Sequence, residues 1–229
     1  MDFSPRSIAV FGASADAQKV GHAVLHNLLT EGYAGAVYPV NPKGGVILEK
    51  NVAKTVSAIP GDIDLAVIAT PAPTVPAIVE ECGKKGVRMI VVISAGFSET
   101  GTPEGKEAER KLQTLSEQYR IDLIGPNCLG IIRPHVKMNA SFAKGLPRAG
   151  NVALLSQSGA ILVGMLDAAL PLHLGFSLVV SLGNKTSVDE CDVLETAADD
   201  ADTKVIGLYL ESVKRPWRFR ELSARIASK

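Results

Sequence analysis

Two short turns of glycine, alanine and serine, Gly12-Ala13-Ser14 and Ser156-Gln157-Ser158-Gly159-Ala160, each stand between an apolar run and a stretch of helical spacing. Small residues let the backbone turn tightly and present its amides, and a helix starting behind them adds the positive end of its dipole. Both turns therefore have the makings of an anion site. A third feature names the kind of anion. In a dinucleotide-binding unit the second strand ends on Asp or Glu, which hydrogen-bonds the adenosine ribose. Here that stretch, Ala36-Val37-Tyr38-Pro39-Val40-Asn41-Pro42-Lys43, ends on a cation. A lysine there suits an extra ribose phosphate, as carried by coenzyme A or NADP.

Each of these residues also has a plainer use. The G-x-G-x-x-G fingerprint is absent, the next glycine being Gly21, so Gly12-Ala13-Ser14 also fits as simple turn geometry. Lys43 in isolation would be a solvated loop lysine; its place behind Pro-Val-Asn-Pro favours a phosphate, and Lys19 is a weaker candidate of the same kind. Ser158 could merely cap a helix, but several orphan amides beside it favour an anion. A serine-hydrolase elbow fails, because position 156 is not Gly and no Asp and His are placed to form a triad.

Ser94-Ala95-Gly96 and Asn127-Cys128 follow apolar runs and cluster on the same edge as the two turns. Cys128 reads as a small buried cysteine or as a thiol near the ligand. Glu211, behind an apolar run, is a surface acid or an orienting carboxylate, and the residues alone leave both open. His22 and His26 are four apart, yet with no Glu between them and no third ligand they read as helix-surface residues. No metal site is expected. His135 and His173 have no chemical context.

The elements that must position these residues alternate strand and helix. Ser7–Phe11, the 36–43 stretch, Leu65–Ala69, Met89–Ile93 and Ile121–Ile124 read as strands, with helices over about Lys19–Glu31, Val75–Lys85 and Pro103–Tyr119. The last begins Thr-Pro-Glu, with proline in its first turn and an acid suited to its dipole. The fold class is α/β: a Rossmann-like doubly wound parallel sheet over residues 1–133. Residues 134–150 lack periodicity and read as a connector. The pattern then restarts over 151–229, with strands at Asn151–Leu155, Phe176–Val180 and Val205–Leu210 and helices at Ala160–Leu170, Val188–Ala198 and from Pro216 to the end. Three strands are too few for an ordinary doubly wound sheet. This second unit reads as incomplete, the start of a domain belonging to a longer protein, with an apolar sheet edge that favours self-association into a homo-oligomer.

Composition agrees. The 229 residues are 46% hydrophobic and 5% aromatic, as parallel sheets covered on both faces require. Formal net charge is zero and no basic run is interleaved with aromatics, which excludes nucleic acid as an expected partner. Cys82, Cys128 and Cys191 form no C-x-x-C pair and suit a reducing compartment. Neither a signal segment nor a membrane-spanning run is present, so a cytoplasmic location without a membrane is expected.

Taken together, Phe3-Ser4-Pro5-Arg6-Ser7-Ile8-Ala9-Val10-Phe11-Gly12-Ala13-Ser14, Lys19-Val20-Gly21, Tyr38-Pro39-Val40-Asn41-Pro42-Lys43, Ser94-Ala95-Gly96-Phe97 and Gly125-Pro126-Asn127-Cys128-Leu129-Gly130 resemble the CoA-binding domain of ADP-forming acyl-CoA synthetases, relatives of the succinyl-CoA synthetase alpha subunit. Ser156-Gln157-Ser158-Gly159 and Ser181-Leu182-Gly183-Asn184-Lys185 resemble the opening of that family's flavodoxin-like ligase domain. The resemblance covers nearly the whole chain. It implies the reaction acid + CoA + ATP to acyl-CoA + ADP + phosphate, through an acyl phosphate and a phosphohistidine. Gly12, Ala13, Ser14, Lys19 and Val20 would form the first CoA loop, Lys43 would meet the ribose phosphate and Ser94, Ala95 and Gly96 the pantetheine arm. Asn127 and Cys128 would lie near the thiol. Ser156, Gln157, Ser158, Gly159 and Ala160 would hold phosphate or acyl phosphate, Asn184 would approach the acyl group, and Glu211 would orient the phosphohistidine.

None of the four histidines matches the one that is phosphorylated, and the resemblance stops short of the ATP-grasp (beta) domain or subunit that uses ATP and ADP in the complete enzyme. The chain is accordingly expected to bind CoA without completing the cycle alone. Two alternatives stand beside this reading: a regulatory CoA or acyl-CoA sensor fused to a protein acyltransferase, and an NADP-dependent oxidoreductase in which Lys43 holds the 2′-phosphate.

Overall fold

The computed structural model describes residues 1–227. Ser228 and Lys229, which the last expected helix would include, lie outside the described residues. Two five-stranded sheets carry the chain.

The first is built from β1 (Ser7–Phe11), α1 (Val20–Thr30), β2 (Ala36–Val40), a small hairpin of β3 (Val46–Ile47) and β4 (Lys50–Asn51), β5 (Leu65–Ile68), α2 (Val75–Lys85), β6 (Met89–Val92), α3 (Pro103–Tyr119) and β7 (Asp122–Ile124). Its strands run in the order β2-β1-β5-β6-β7, all parallel. β5 and β6 are buried residue by residue, as central strands sandwiched between helix layers must be. The chain reverses direction across the sheet between β1 and β5, so the crevice beyond their carboxyl ends is where such a sheet takes a ligand. α3 begins as its sequence signals: the Thr102 side chain accepts from the Gly105 amide at 3.1 Å, with Pro103 behind it.

The second sheet comprises β8 (Gly130–Arg133), β9 (Met138–Ser141), β10 (Ala149–Ser156), β11 (Phe176–Ser181) and β12 (Val205–Tyr209), with α4 (Gly159–Ala169), α5 (Glu190–Asp199) and α6 (Pro216–Ala227). Its order is β12-β10-β11-β8-β9; the first three are parallel, and β8 and β9 are added antiparallel. Here the structure differs from the expectation of an aperiodic connector over 134–150 and of a three-stranded second sheet. β9 falls inside that stretch, and β8, just before it, also pairs into the second sheet rather than the first. Both strands have four residues and carry no alternation long enough to read. They close one side of the sheet. The other side ends on β12, where Val205 is 55% and Leu208 37% exposed, the open apolar edge that the sequence implies.

The two sheets are joined by buried polar contacts. Asn27 on α1 donates through Nδ2 to the carbonyls of Ser141 and Ala143, at 2.9 and 2.8 Å. The Ser181 hydroxyl accepts from the Leu129 amide at 2.9 Å. Among the described residues no helix is long and apolar enough to cross a membrane.

Candidate functional site

The carboxyl ends of the parallel strands of the two sheets face each other across a cavity of about 710 Å³. One wall comes from the first sheet: Ala69 and Thr70 after β5, Ser94 and Ala95 after β6, and Asn127 and Cys128 after β7. Gln157 and Ser158, between β10 and α4, and Gly159 and Ala160, which open α4, form the opposite wall, and Glu211 after β12 stands on the rim. Val20, Ile93, Leu129, Phe142 and Val163 fill in the apolar lining.

The β10–α4 turn is the stronger of the two candidate anion sites. Ser156 is fully buried, and its hydroxyl both donates to the Ser158 carbonyl at 2.7 Å and accepts from the Ser158 amide. The Ser158 hydroxyl accepts from the Ile161 amide and the Ser158 carbonyl takes Leu162. Ser158 is therefore a helix cap as well as a wall of the cavity. The amides of Gly159 and Ala160 have no acceptor among the described residues, and both residues line the cavity. Two unpaired N–H groups thus stand on a helix N-terminus at the end of β10, a geometry that suits an anion.

Glu211 is placed by its backbone. Gln157 Oε1 accepts from the amides of Glu211 and Ser212, at 3.0 and 3.1 Å, while the Gln157 amide donates to the Tyr209 carbonyl. The Glu211 side chain is exposed and makes no hydrogen bond or ion pair among the described residues. It is an uncommitted carboxylate on the rim of the cavity.

In the first sheet, Gly12 has φ +83°, and a Cβ there would lie 2.3 Å from the Ala69 carbonyl oxygen. Gly12, Ala13 and Ser14 shape the crevice without lining the large cavity. Asn41, which sequence reasoning quoted without a role, ties this turn to β2: its Nδ2 donates to the Ala13 carbonyl at 2.9 Å, and its Oδ1 accepts from the Lys43 amide at 3.0 Å. Lys43 and Lys19 are both exposed, and neither makes an ion pair among the described residues. Cations placed beside the Gly12 turn and beyond β2 suit a phosphate.

The loop after β6 is already engaged. Ser94 Oγ donates to the Thr70 carbonyl, and the amides of Gly96 and Phe97 donate to Glu99. Burial works against the Glu99 charge, but these amides and the Asn184 side chain hold its carboxyl below the usual range. Asn184 is not in the cavity wall. Its Nδ2 donates to Glu99 Oε2 at 2.6 Å and to Glu109 Oε2 at 2.8 Å, so it clamps the β11–α5 loop to the β6–α3 loop. Cys128 is 4% exposed and donates to the Val92 carbonyl; burial pushes its thiol up to about 12, which makes it an inert packing residue.

Outside the expected residues lies a buried ion pair. Lys185 is 1% exposed and Glu190 is fully buried, with Nζ 2.9 Å from Oε2. The same ammonium donates to the Ser212 carbonyl at 2.7 Å and to its hydroxyl at 3.2 Å. A single lysine in a Gly-Asn-Lys turn gives no sequence signal for this, because its partners lie 5 and 27 residues away. Asp189, Glu190 and Cys191 come close enough to hold a cation, but Arg215 and Lys185 already occupy the two carboxylates. His22 and His26 stack on the face of α1, where His22 Nδ1 lies 2.8 Å from the Ser14 carbonyl oxygen.

Comparison with known proteins gives a consistent answer. Residues 6–134 match the family of CoA binding domains, and residues 149–229 match the succinyl-CoA ligase like flavodoxin domain. Acetate–CoA ligase [ADP-forming] of Methanocaldococcus jannaschii is 46% identical over 98% of this chain and 31% of its own length. Acetate–CoA ligase [ADP-forming] I subunit alpha of Pyrococcus furiosus is 42% identical over 99% of this chain and 50% of its own. The solved Ca. Korarchaeum cryptofilum dinucleotide forming acetyl-coenzyme A synthetase 1, in complex with phosphate and ADP, superposes with a TM-score of 0.94 at 36% identity, covering 98% of this chain and 48% of that one. The chain thus spans about a third to a half of the length of these relatives.

Proposed function

As the chain belongs to the CoA binding domain family, continued by a succinyl-CoA ligase like flavodoxin domain, we propose that it is the CoA-binding portion of an ADP-forming acyl-CoA synthetase. The observation that carries this reading is the meeting of two carboxyl edges. A crevice with free cations leads to a cavity whose far wall offers the unpaired amides of Gly159 and Ala160.

In this reading the first unit, residues 1–133, holds CoA and the second, residues 151–229, holds phosphate. The adenosine end lies along the Gly12 turn with Lys43 on the ribose phosphate. The pantetheine arm passes Ser94 and Ala95, and the thiol reaches the cavity beside Asn127. An acyl phosphate on the Gly159 and Ala160 amides presents its carbonyl carbon to that thiol. Attack forms the C–S bond and breaks the C–O bond to phosphate, the thiol proton passes to the departing phosphate, and inorganic phosphate is left in the same cradle. The amides neutralise the charge that grows on the departing oxygens, the general use of preorganised donors. In the preceding step Glu211 orients the phosphorylated histidine that gives its phosphoryl group to the acid; none of this chain's four histidines matches that residue, and the nucleotide site belongs to an ATP-grasp domain or subunit. A cytoplasmic location fits the three free thiols.

Ligand linkage tests the first step. CoA at ~100 times its dissociation constant adds about 2.7 kcal/mol of stability, easily read as a higher melting temperature, and NADPH should do far less. Equal or larger stabilisation by NADPH would move the chain to the oxidoreductases.

A further inference from the structure

The loop that carries Glu211 is held from below by a charge pair that touches no part of the cavity. Four backbone groups of residues 211–214 are captured. Gln157 takes the amides of Glu211 and Ser212, Lys185 takes the Ser212 carbonyl at 2.7 Å, and Glu190 Oε1 takes the Lys214 amide at 2.8 Å. Lys185 and Glu190 are completely desolvated, a costly arrangement that a simple loop anchor does not need. In return, a buried and fully engaged pair defines one geometry where an apolar contact would allow several.

The far side of the same turn is locked to the first sheet. The Asn184 amide donates to the Pro126 carbonyl at 2.9 Å, and the Thr186 amide donates to the Gly125 carbonyl at 3.1 Å. A Cβ on Gly183 would come within 2.1 Å of the Pro126 carbonyl oxygen. Lys185 thus measures out Glu211 from the turn that ends β7, next to Asn127.

We propose that Lys185 and Glu190 are positioning residues for Glu211, acting through the carbonyl and hydroxyl of Ser212 and the amide of Lys214. This rests on the reading of Glu211 as the carboxylate that meets the transferred phosphoryl carrier. Removing the pair leaves the CoA crevice intact and lets the 211–214 loop drift. Displacements of about 1 Å in catalytic geometry cost up to about a hundredfold in rate. The pair therefore acts on turnover and not on CoA affinity.

The test uses Lys185→Met/Glu190→Gln, which removes both charges at similar volume, and Ser212→Ala, an exposed change that keeps the carbonyl contact and removes those of the hydroxyl with Lys185 and Gln157. In the complete protein the double variant should lower kcat by about tenfold or more with KM for CoA unchanged, and Ser212→Ala should lower it less. In this chain, carbon-13 labelled glutamate, with the Glu211 resonance assigned through Glu211→Gln, should give one sharp signal that broadens or splits in the double variant. An unchanged kcat and an unchanged Glu211 signal in a folded double variant would overturn the proposal. Should the double variant not fold, an unchanged kcat and signal in Ser212→Ala would do the same. A complete wild-type protein that makes no acyl-CoA would refute the functional reading, while the Glu211 signal in this chain still decides the positioning role.

Discussion

Gly21 faces Gly12 so closely that a Cβ on Gly21 would lie 2.0 Å from the Gly12 carbonyl oxygen. The first turn of α1 therefore rests on the glycine turn itself, with Gly21 buried between them. In the dinucleotide fingerprint the third glycine provides such close helix packing. Here the same contact is made at a wider spacing, so the absent motif is replaced in space although not in sequence.

Gly21→Ala should force α1 off the turn. Overpacking of this kind costs roughly 1–3 kcal/mol, visible as a lower urea midpoint. The thermal shift given by CoA should shrink with it, because the amides of the first loop move. Full retention of both would show that the contact yields without cost.

Lys43→Ala removes a side-chain cation that makes no ion pair among the described residues and keeps the bond from its backbone amide to Asn41. Loss of a charge-assisted contact is worth about 1.5–3 kcal/mol, so CoA should weaken about tenfold or more. Dephospho-CoA, which lacks the ribose phosphate, should bind as before. Titration calorimetry with both ligands separates these outcomes, and an equal loss with each would remove Lys43 from the phosphate.

Cys128 should resist alkylation in the native protein at pH 8, since its thiol is buried and pushed up to about 12. CoA should make no difference to its labelling. Iodoacetamide with mass readout, native against denatured, checks this; rapid native labelling would restore the reactive-thiol reading.

Lys185→Met should cost roughly 3–5 kcal/mol, because the Glu190 carboxylate is left buried and unpaired. Adding Glu190→Gln should recover much of that loss. Denaturant melts of the two variants measure it. If the double variant is no more stable than the single, the pair is not coupled as its geometry implies.

Arg133 donates to both oxygens of Asp200 and holds its carboxyl below the usual range, chiefly through that hydrogen bond. A lowered folded-state value stabilises the protein above the unfolded carboxylate value, about pH 4, and the contribution is lost as pH falls through the folded value. Asp200→Asn should therefore be less stable near neutrality and lose less on acidification below about pH 4. Chemical melts across that range read the difference, and parallel profiles would rule out the linkage.

What the sequence determined by itself is local in origin. Apolar runs of four or five residues and small-residue turns depend on neighbours along the chain, so the parallel strands, their order of alternation and the loops at their carboxyl ends were legible. The Gly159 and Ala160 amides follow from the same signal, a serine-rich turn in front of a helix. Tertiary structure decided the rest. β8 and β9 are too short to show a period; β8 becomes a strand because β11, more than forty residues later, supplies an edge, and β9 pairs on β8. Asn41, Asn184 and Lys185 look like ordinary polar loop residues until folding brings the Ala13 carbonyl, the Glu99 and Glu109 carboxylates and Ser212 within hydrogen-bonding distance. A hydrogen bond is satisfied by proximity in space, and no spacing in the sequence encodes a partner that a sheet crossover delivers.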